Sequence, residues 1–417
     1  MGEGHRTPVR RLPIYALLGA NAVSIVGNAM TSVAVPWFVL QTTGSAARTG
    51  FTGAVMALGA VLAAFFGGPL VDRLGFKRTS VLADLMSGVT VALIPLLYVA
   101  GYLPYPLLLV LVFLGAVLDA PGMSARDAMI PELARLGGMR LERANSLDTS
   151  IPRLAQFLGP PLAGGLIVLL GATGVLVLDA ITFAVSAILI IAAVPAVRTE
   201  AGGKGGDGYV ADLLEGLKFM RANALILSMT LVATAANFLD APLQAVILPV
   251  YASEVFGSAA SLGAMLGAFG GGALAGTLLY GLVGHHLPRR LTFVVCWFIA
   301  GPLAYLTLSL TPPLGVIIGV MVLVGVLAGP INSIFAIIFQ EHTPPRMRGR
   351  AFGVLNSLSM AAIPLGMALG GLLVEFSGLV PTLLGMGVFY LVITSSMFFN
   401  PVLQGMDRPP EQADKRI

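Results

Sequence analysis

Four aspartates, Asp84, Asp119, Asp179 and Asp240, stand inside long apolar stretches of the chain. A carboxyl group placed where a membrane would surround it is costly, so it marks a functional position by default. Asp119 precedes Arg126 by seven residues, which puts both on one helical face about 10 Å apart along the axis. Two readings of this pair stay open: a working acid, or a structural pair in which the arginine neutralises a buried carboxylate. Asp240 has Asn237 and Gln244 in helical reach. These uncharged neighbours leave it free to take up a proton, whereas a cation beside Asp119 makes that residue the poorer proton carrier. Asp240 and then Asp119 are the proton-coupling candidates. For Asp84 and Asp179 a packing or latch role is the expectation.

Polar side chains recur at helical spacing on two other faces, Asn21, Ser24, Asn28 and Ser32 early in the chain and Asn237, Asp240 and Gln244 in its second half. Phe335 and Phe339 share a face with Asn332, and Trp37 and Phe38 sit at the end of the first stretch. Such a mixture of aromatic and amide groups suits a cavity for bulky amphipathic ligands. The competing reading makes the aromatics packing or lipid-facing residues.

The elements that must position these groups follow from composition. The 417 residues are 57% hydrophobic and 11% charged, with a mean hydropathy of +0.90, too apolar for any solvent but a bilayer. A spanning helix needs about 20 apolar residues. Counting such stretches between polar breaks gives twelve, from 13–41 to 379–400, and predicts an all-α membrane protein. Lysine and arginine gather on alternate connections, as at Arg73, Lys77 and Arg78, at Arg135, Arg140 and Arg143, and at Arg346, Arg348 and Arg350. Positive residues stay on the cytoplasmic side, so both termini are expected there and the protein in the cytoplasmic (inner) membrane. The net charge of +4 is then a topology signal and gives no reason to expect nucleic acid. The single cysteine, Cys296, lies in an apolar helix and indicates neither redox chemistry nor a thiolate metal site. Met1 to Arg11 lacks the apolar core of a cleavable signal.

The chain repeats itself. Pro36 recurs as Pro249, Gly44-Ser45-Ala46-Ala47 as Gly257-Ser258-Ala259-Ala260, Gly50 as Gly263 and Gly68 as Gly281, all 213 residues apart. Later the interval is 207, as for Arg143-Ala144 with Arg350-Ala351 and Gly159 with Gly366. Two parallel halves of six spans are expected, 1–197 and 222–402, joined by a glycine-rich linker at 198–221 that begins to form a helix near Tyr209, with a tail at 403–417. Parallel repeats of this kind place a substrate site near the midplane and work by one half rocking against the other.

Between the second and third spans the residues Gly68, Asp72, Arg73, Gly75, Lys77 and Arg78 resemble the G-x-x-x-D-R-x-G-R-R/K signature of the major facilitator superfamily, with Phe76 at a usually basic place. The second copy is degenerate: His285 and His286 replace Asp72 and Arg73. The resemblance implies the fold of that superfamily, twelve helices in two six-helix halves. It also implies a gating latch, in which Asp72 makes contacts in one state and loses them in another; Arg126 and Asp127 are expected to join it. A plain solvated turn is the alternative. In the fifth span Gly159, Pro160, Pro161, Gly164 and Gly165 resemble the G-P-x-x-G-G pattern of exporters that work as antiporters. The prolines are expected to interrupt the helix, and small-residue packing alone is the bland reading. With Ala125 to Glu132 and Arg348 to Gly353, the whole chain resembles the drug:proton antiporter group that includes macrolide, enterobactin and Tap-type tetracycline and aminoglycoside exporters. In that group the first helix of each triplet lines the pathway.

No nucleotide-binding lysine motif, metal-ligand cluster or nucleophile elbow is present in the sequence. The expected function is secondary export of lipophilic or amphipathic drugs in exchange for protons, without cofactor or enzymatic step. The expected partners are a small molecule, protons and lipid, with a monomer as the unit. Export of one dedicated metabolite, such as a siderophore or antibiotic, is the first alternative, and a non-transporting sensor or scaffold the second.

Overall fold

Within a bilayer a helix satisfies its backbone donors and acceptors internally, so apolar stretches of spanning length fold as helices. The computed structural model describes residues 11–196 and 209–407, the side chains of 64–73 and 209–213 excepted. Its helices are α1 (Leu12–Thr43), α2 (Ala46–Leu74), α3 (Phe76–Val99), α4 (Tyr105–Leu136), α5 (Leu141–Ala193) and α6 (Tyr209–Ala222). They continue as α7 (Ala224–Phe256), α8 (Ala259–Val283), α9 (Arg289–Ser309), α10 (Leu314–His342), α11 (Arg348–Ser377) and α12 (Leu379–Phe399). Among the described residues, eleven of these helices are long and apolar enough to span a membrane, α6 being the exception.

The twelfth span is hidden in α5, whose 53 residues would reach about 80 Å if straight, far more than a bilayer needs. Gly171 breaks it with φ 73° and ψ 166°, a conformation open to glycine and strained for other residues. The corresponding turn of the second half, between α11 and α12, is made by Gly378 with φ 85° and ψ 167°. The two glycines are 207 residues apart, the same interval that relates the repeats. Gly44 and Gly257, 213 apart, likewise share a left-handed backbone, with φ 64° and 62°. The duplication read in the sequence is thus also a duplication of backbone geometry.

The chain packs into two compact units. One comprises Met1–Ala34, Val55–Gly159 and Leu169–Gly203, the other Val35–Ala54, Pro160–Val168 and Lys204–Ile417. The second unit therefore takes in the α1–α2 connection and a short middle portion of α5 along with the later helices. Two helix crossings inside this unit are made at backbone distance. A Cβ on Gly371 of α11 would lie 2.7 Å from the Ala46 carbonyl oxygen and 2.9 Å from the α-carbon of Gly50. A Cβ on Gly263 of α8 would lie 2.6 Å from the Pro160 carbonyl oxygen and 3.0 Å from the α-carbon of Gly164. Glycine is needed at both crossings because any side chain would displace a backbone.

α5 runs as helix through Pro160 and Pro161, its one non-helical residue being Gly171. The interruption expected at the prolines does not occur; the break falls on the glycine, whose backbone reaches conformations a proline cannot. At the linker, α6 docks on the start of α11. Met220 is fully buried with Phe339, Ala351, Val354 and Leu355, Glu215 pairs with Arg350, and a Cβ on Gly216 would lie 2.6 Å from the Arg350 carbonyl oxygen. Beyond α12, the turn Pro401–Asp407 sets Leu403 and Met406 into a core with Leu225 and Phe293.

Candidate functional site

The first unit buries several of its ionisable side chains between helices. Arg126 of α4 donates from Nη1 to Asp84 Oδ1 of α3 at 2.8 Å, with the two side chains 1% and 0% exposed. Ser186, in the second arm of α5, donates to the other oxygen of Asp84 at 2.7 Å. Asp119 is 4.0 Å from Arg126 Nη2 and 17% exposed. Its Oδ2 accepts from Asn28 Nδ2 of α1 at 2.8 Å, while its Oδ1, with Nε and Nη2 of Arg126, has no hydrogen-bond partner among the described residues. The long arginine side chain thus closes the separation along the α4 face, but its primary partner is Asp84. One turn further along α1, Thr31 donates to Asp179 at 2.5 Å, and Asn21 donates to Asp148 of α5 at 2.8 Å. Ser24 is fully buried, with its hydroxyl unpartnered among the described residues. The polar face of α1 therefore addresses acids of α4 and α5.

The second unit contains a different kind of site, a cavity of about 360 Å³ bordered by helices α7 to α12. Its polar groups include Asn237, Asp240, Gln244, Asn332, Asn356 and Ser359, and its aromatic ones Phe269, Trp297, Phe335, Phe352 and Tyr390. Among the described residues that line it, Asp240 is the one carboxylate, and there is no lysine, arginine or histidine. Tyr390 donates to Asp240 Oδ2 across 3.4 Å.

Local backbone chemistry explains this placement. Pro242 has no N–H for the carbonyl four residues back, and a π-helical turn, Leu243–Ile247, follows it. The backbone carbonyl of Phe238 instead faces α11, where a Cβ on Gly366 would collide with it. The neighbouring Leu239 carbonyl accepts from the Tyr305 hydroxyl at 2.6 Å. Tyr305 then stands 6.3 Å from Tyr390, which is 6.3 Å from Trp297, centroid to centroid. The disturbance in the α7 ladder thereby fixes an aromatic row beside Asp240.

Of the cavity residues expected from sequence, Asn237, Gln244, Asn332 and Phe335 line this space together with Asp240. Asn237 also donates to the Ser359 carbonyl at 3.1 Å. Phe339 instead packs edge-on against Phe352, 5.9 Å away, in the core under α6. Trp297, Tyr305 and Tyr390 carry no sequence signal of their place here, since they sit singly on different helices without a polar stripe to mark them. Of the motif at the end of α2, Gly68, Asp72 and Arg73 lie outside the residues whose side chains are described. Gly75 breaks the chain before α3 with φ 81°, and Lys77 Nζ donates to the Ile191 and Val194 carbonyls at the end of α5. Arg78 and Asp127 are exposed. In the fifth-span motif, Gly159 meets Ala29 of α1 and Gly164 meets Gly263, whereas Gly165 faces open space.

Residues 5–415 match the family described as transmembrane secretion effector, within the major facilitator superfamily. The chain belongs to this family. The multidrug efflux pump Tap of Mycolicibacterium fortuitum is 32% identical over 96% of this chain and 98% of its own length. Tap of Mycobacterium tuberculosis H37Rv is 32% identical over 97% of each. Macrolide efflux protein A of Streptococcus pyogenes is 25% identical over 88% of this chain and 91% of its own. Among solved structures, nucleoside transporter NupG superposes with a TM-score of 0.68 at 15% identity, covering 94% of this chain and 99% of its own. A D-xylose–proton symporter gives 0.68 at 15%, covering 95% and 99%. The fold is that of the major facilitator superfamily, and the protein is a multi-pass membrane transporter, not an enzyme.

Proposed function

We propose that this transporter exports lipophilic or amphipathic drugs across the cytoplasmic membrane in exchange for protons, with Asp240 as the acid that exchanges them. The observation that carries the reading is the cavity of the second unit, in which one carboxylate stands among aromatic and amide groups with no cation among the described residues lining the space. An acid in such surroundings is stable when neutral and costly when charged. A substrate that interacts with the charged form favours release of the proton, so occupancy by drug and by proton become linked. Relatives named as multidrug and macrolide efflux proteins support the substrate class.

In this reading both termini are cytoplasmic, the transporter acts as a monomer, and the halves 1–197 and 222–402 alternate access by rocking. The turn at Asp72 serves as a latch that breaks and re-forms with each cycle. The deciding experiment uses proteoliposomes loaded with a tetracycline, a macrolide or a cationic dye. An imposed proton gradient should drive substrate movement without ATP, and collapsing the gradient should stop it. Transport driven by ATP alone would overturn the reading, and so would movement of none of these compounds while a host retains a single metabolite.

A further inference from the structure

Asp179 is used by nothing described above, and its surroundings parallel those of Asp240. Asp240 lies on the first helix of its half and faces Tyr390 of the last. In the other half the same crossing, between α1 and the second arm of α5, also buries a carboxyl group, supplied from the opposite helix. The repeat interval of 213 that relates Pro36 to Pro249 places Gly27 at the position of Asp240. Gly27 has no side chain, and the space a Cβ would take there is filled by the carboxyl of Asp179 and the hydroxyl of Thr182. The interval of 207 that relates Gly171 to Gly378 places Phe183, one residue beyond Thr182, at the position of Tyr390. Both halves thus hold one carboxyl where their first and last helices cross.

The charges around Asp179 are unbalanced. Among the described residues the network has one cation, Arg126, in hydrogen-bond contact with Asp84 and 4.0 Å from Asp119. Asp179 is 0% exposed, and its side-chain donors are two hydroxyls, Thr31 at 2.5 Å and Thr182 at 3.0 Å. Hydroxyls alone do not offset the cost of a buried anion, which falls when the group takes a proton. We propose that Asp179 is a second proton-binding site of the transport cycle, the first half's counterpart of Asp240. Protonation forms an O–H bond on the carboxylate and cancels its charge; deprotonation returns the proton to water. Because Asp179 is closed from solvent here, exchange requires α1 to part from the α5 arm, which ties the proton to a conformational step. Ionisable groups on the surrounding helices include Asp119 on α4, linked through Asn28 one turn from Thr31, the Asp84–Arg126 pair beyond Ser186, and Asp148 of α5 at the Asn21 end of α1.

The inference rests on the proton-coupling reading of the preceding subsection. The proton-to-substrate ratio, read from reversal potentials in proteoliposomes, tests the two separately. A wild-type protein that moves no protons with substrate would overturn both. A coupled wild type with the same ratio in Asp179→Asn would overturn this inference alone. The expected result is a ratio one proton lower in Asp179→Asn. Should that variant fail to accumulate, infrared difference spectra on substrate addition decide the question. A protonated-carboxyl band is expected to persist in both Asp240→Asn and Asp119→Asn and to shift in Thr31→Val, which removes a donor. Absence of such a band would show a carboxyl that keeps its state throughout and would overturn the proposal.

Discussion

Four acids of the first unit engage partners on neighbouring helices, whereas the second unit leaves one acid at the edge of a cavity. Asp84, Asp119, Asp148 and Asp179 are all engaged across helices, by Arg126, Asn28, Asn21 and Thr31 respectively. Asp240 has a tyrosine at long range and open space beside it. A duplicated fold has thus set its carboxyl groups in two kinds of surroundings. Interhelical bonds hold helices in register, while an acid beside a cavity is free to respond to an occupant. The contrast explains why an arginine appears in one unit's network and none among the described residues lines the other's cavity.

Four tests, taken from the largest expected effect to the smallest, would break or sharpen this contrast. Asp240→Asn should abolish uphill export, leaving below about a tenth of wild-type accumulation against a gradient, because a neutral amide cannot exchange the proton. Downhill exchange and substrate binding, measured in the same vesicles, should survive; retained uphill export would remove Asp240 from its role. Arg126→Met should act on folding instead, since stranding one member of a buried pair costs about 3–5 kcal/mol. Thermal stability in detergent would show the loss. The double variant Asp84→Leu with Arg126→Met should recover most of it, and a double variant as unstable as the single would mean that the pair is not the cause.

Trp297→Ala removes one wall of the cavity without touching a charge. The substrate KM is expected to rise about 2–13-fold, corresponding to the roughly 0.5–1.5 kcal/mol of an aromatic contact, with the proton ratio unchanged. An altered ratio would tie the aromatic row to coupling as well as to binding. The smallest effect tests the symmetry itself. Gly171→Ala and Gly378→Ala each put a side chain on a left-handed residue and should each cost about 1 kcal/mol. Unequal losses in stability would show that the two matching turns carry different loads.

The fold could be read because its signals are local and repeated. Stretch length and the constant intervals between Pro36 and Pro249 or Gly50 and Gly263 predict two sets of six spans, and the backbone at Gly171 and Gly378 agrees with them. The cavity face of α7 could be read as well, since Asn237, Asp240 and Gln244 recur at helical spacing. Pairing across helices could not. Nothing local distinguishes Asp84 from Asp119 as the partner of Arg126, although Asp119 is seven residues away and Asp84 lies on another helix. Sequence proximity favours Asp119; three-dimensional packing gives the shorter contact to Asp84. The α1 face shows the same limit, because periodicity finds Asn21, Ser24 and Asn28 but cannot say whether that face meets a cavity or the acids of adjacent helices.

The glycine crossings have a consequence for how the two repeats constrain each other. Gly50 and Gly263 are copies of one position, and Gly164 and Gly371, 207 residues apart, are copies of another. Gly50 meets Gly371, and Gly164 meets Gly263, so position i of each copy touches position j of the other. That reciprocity is the rule of an isologous interface in a two-fold symmetric dimer. The polypeptide therefore carries, within one chain, the reciprocal pairing of a self-complementary surface. At these four glycines neither copy can drift alone, since a side chain gained in one must be accommodated by the backbone of its twin.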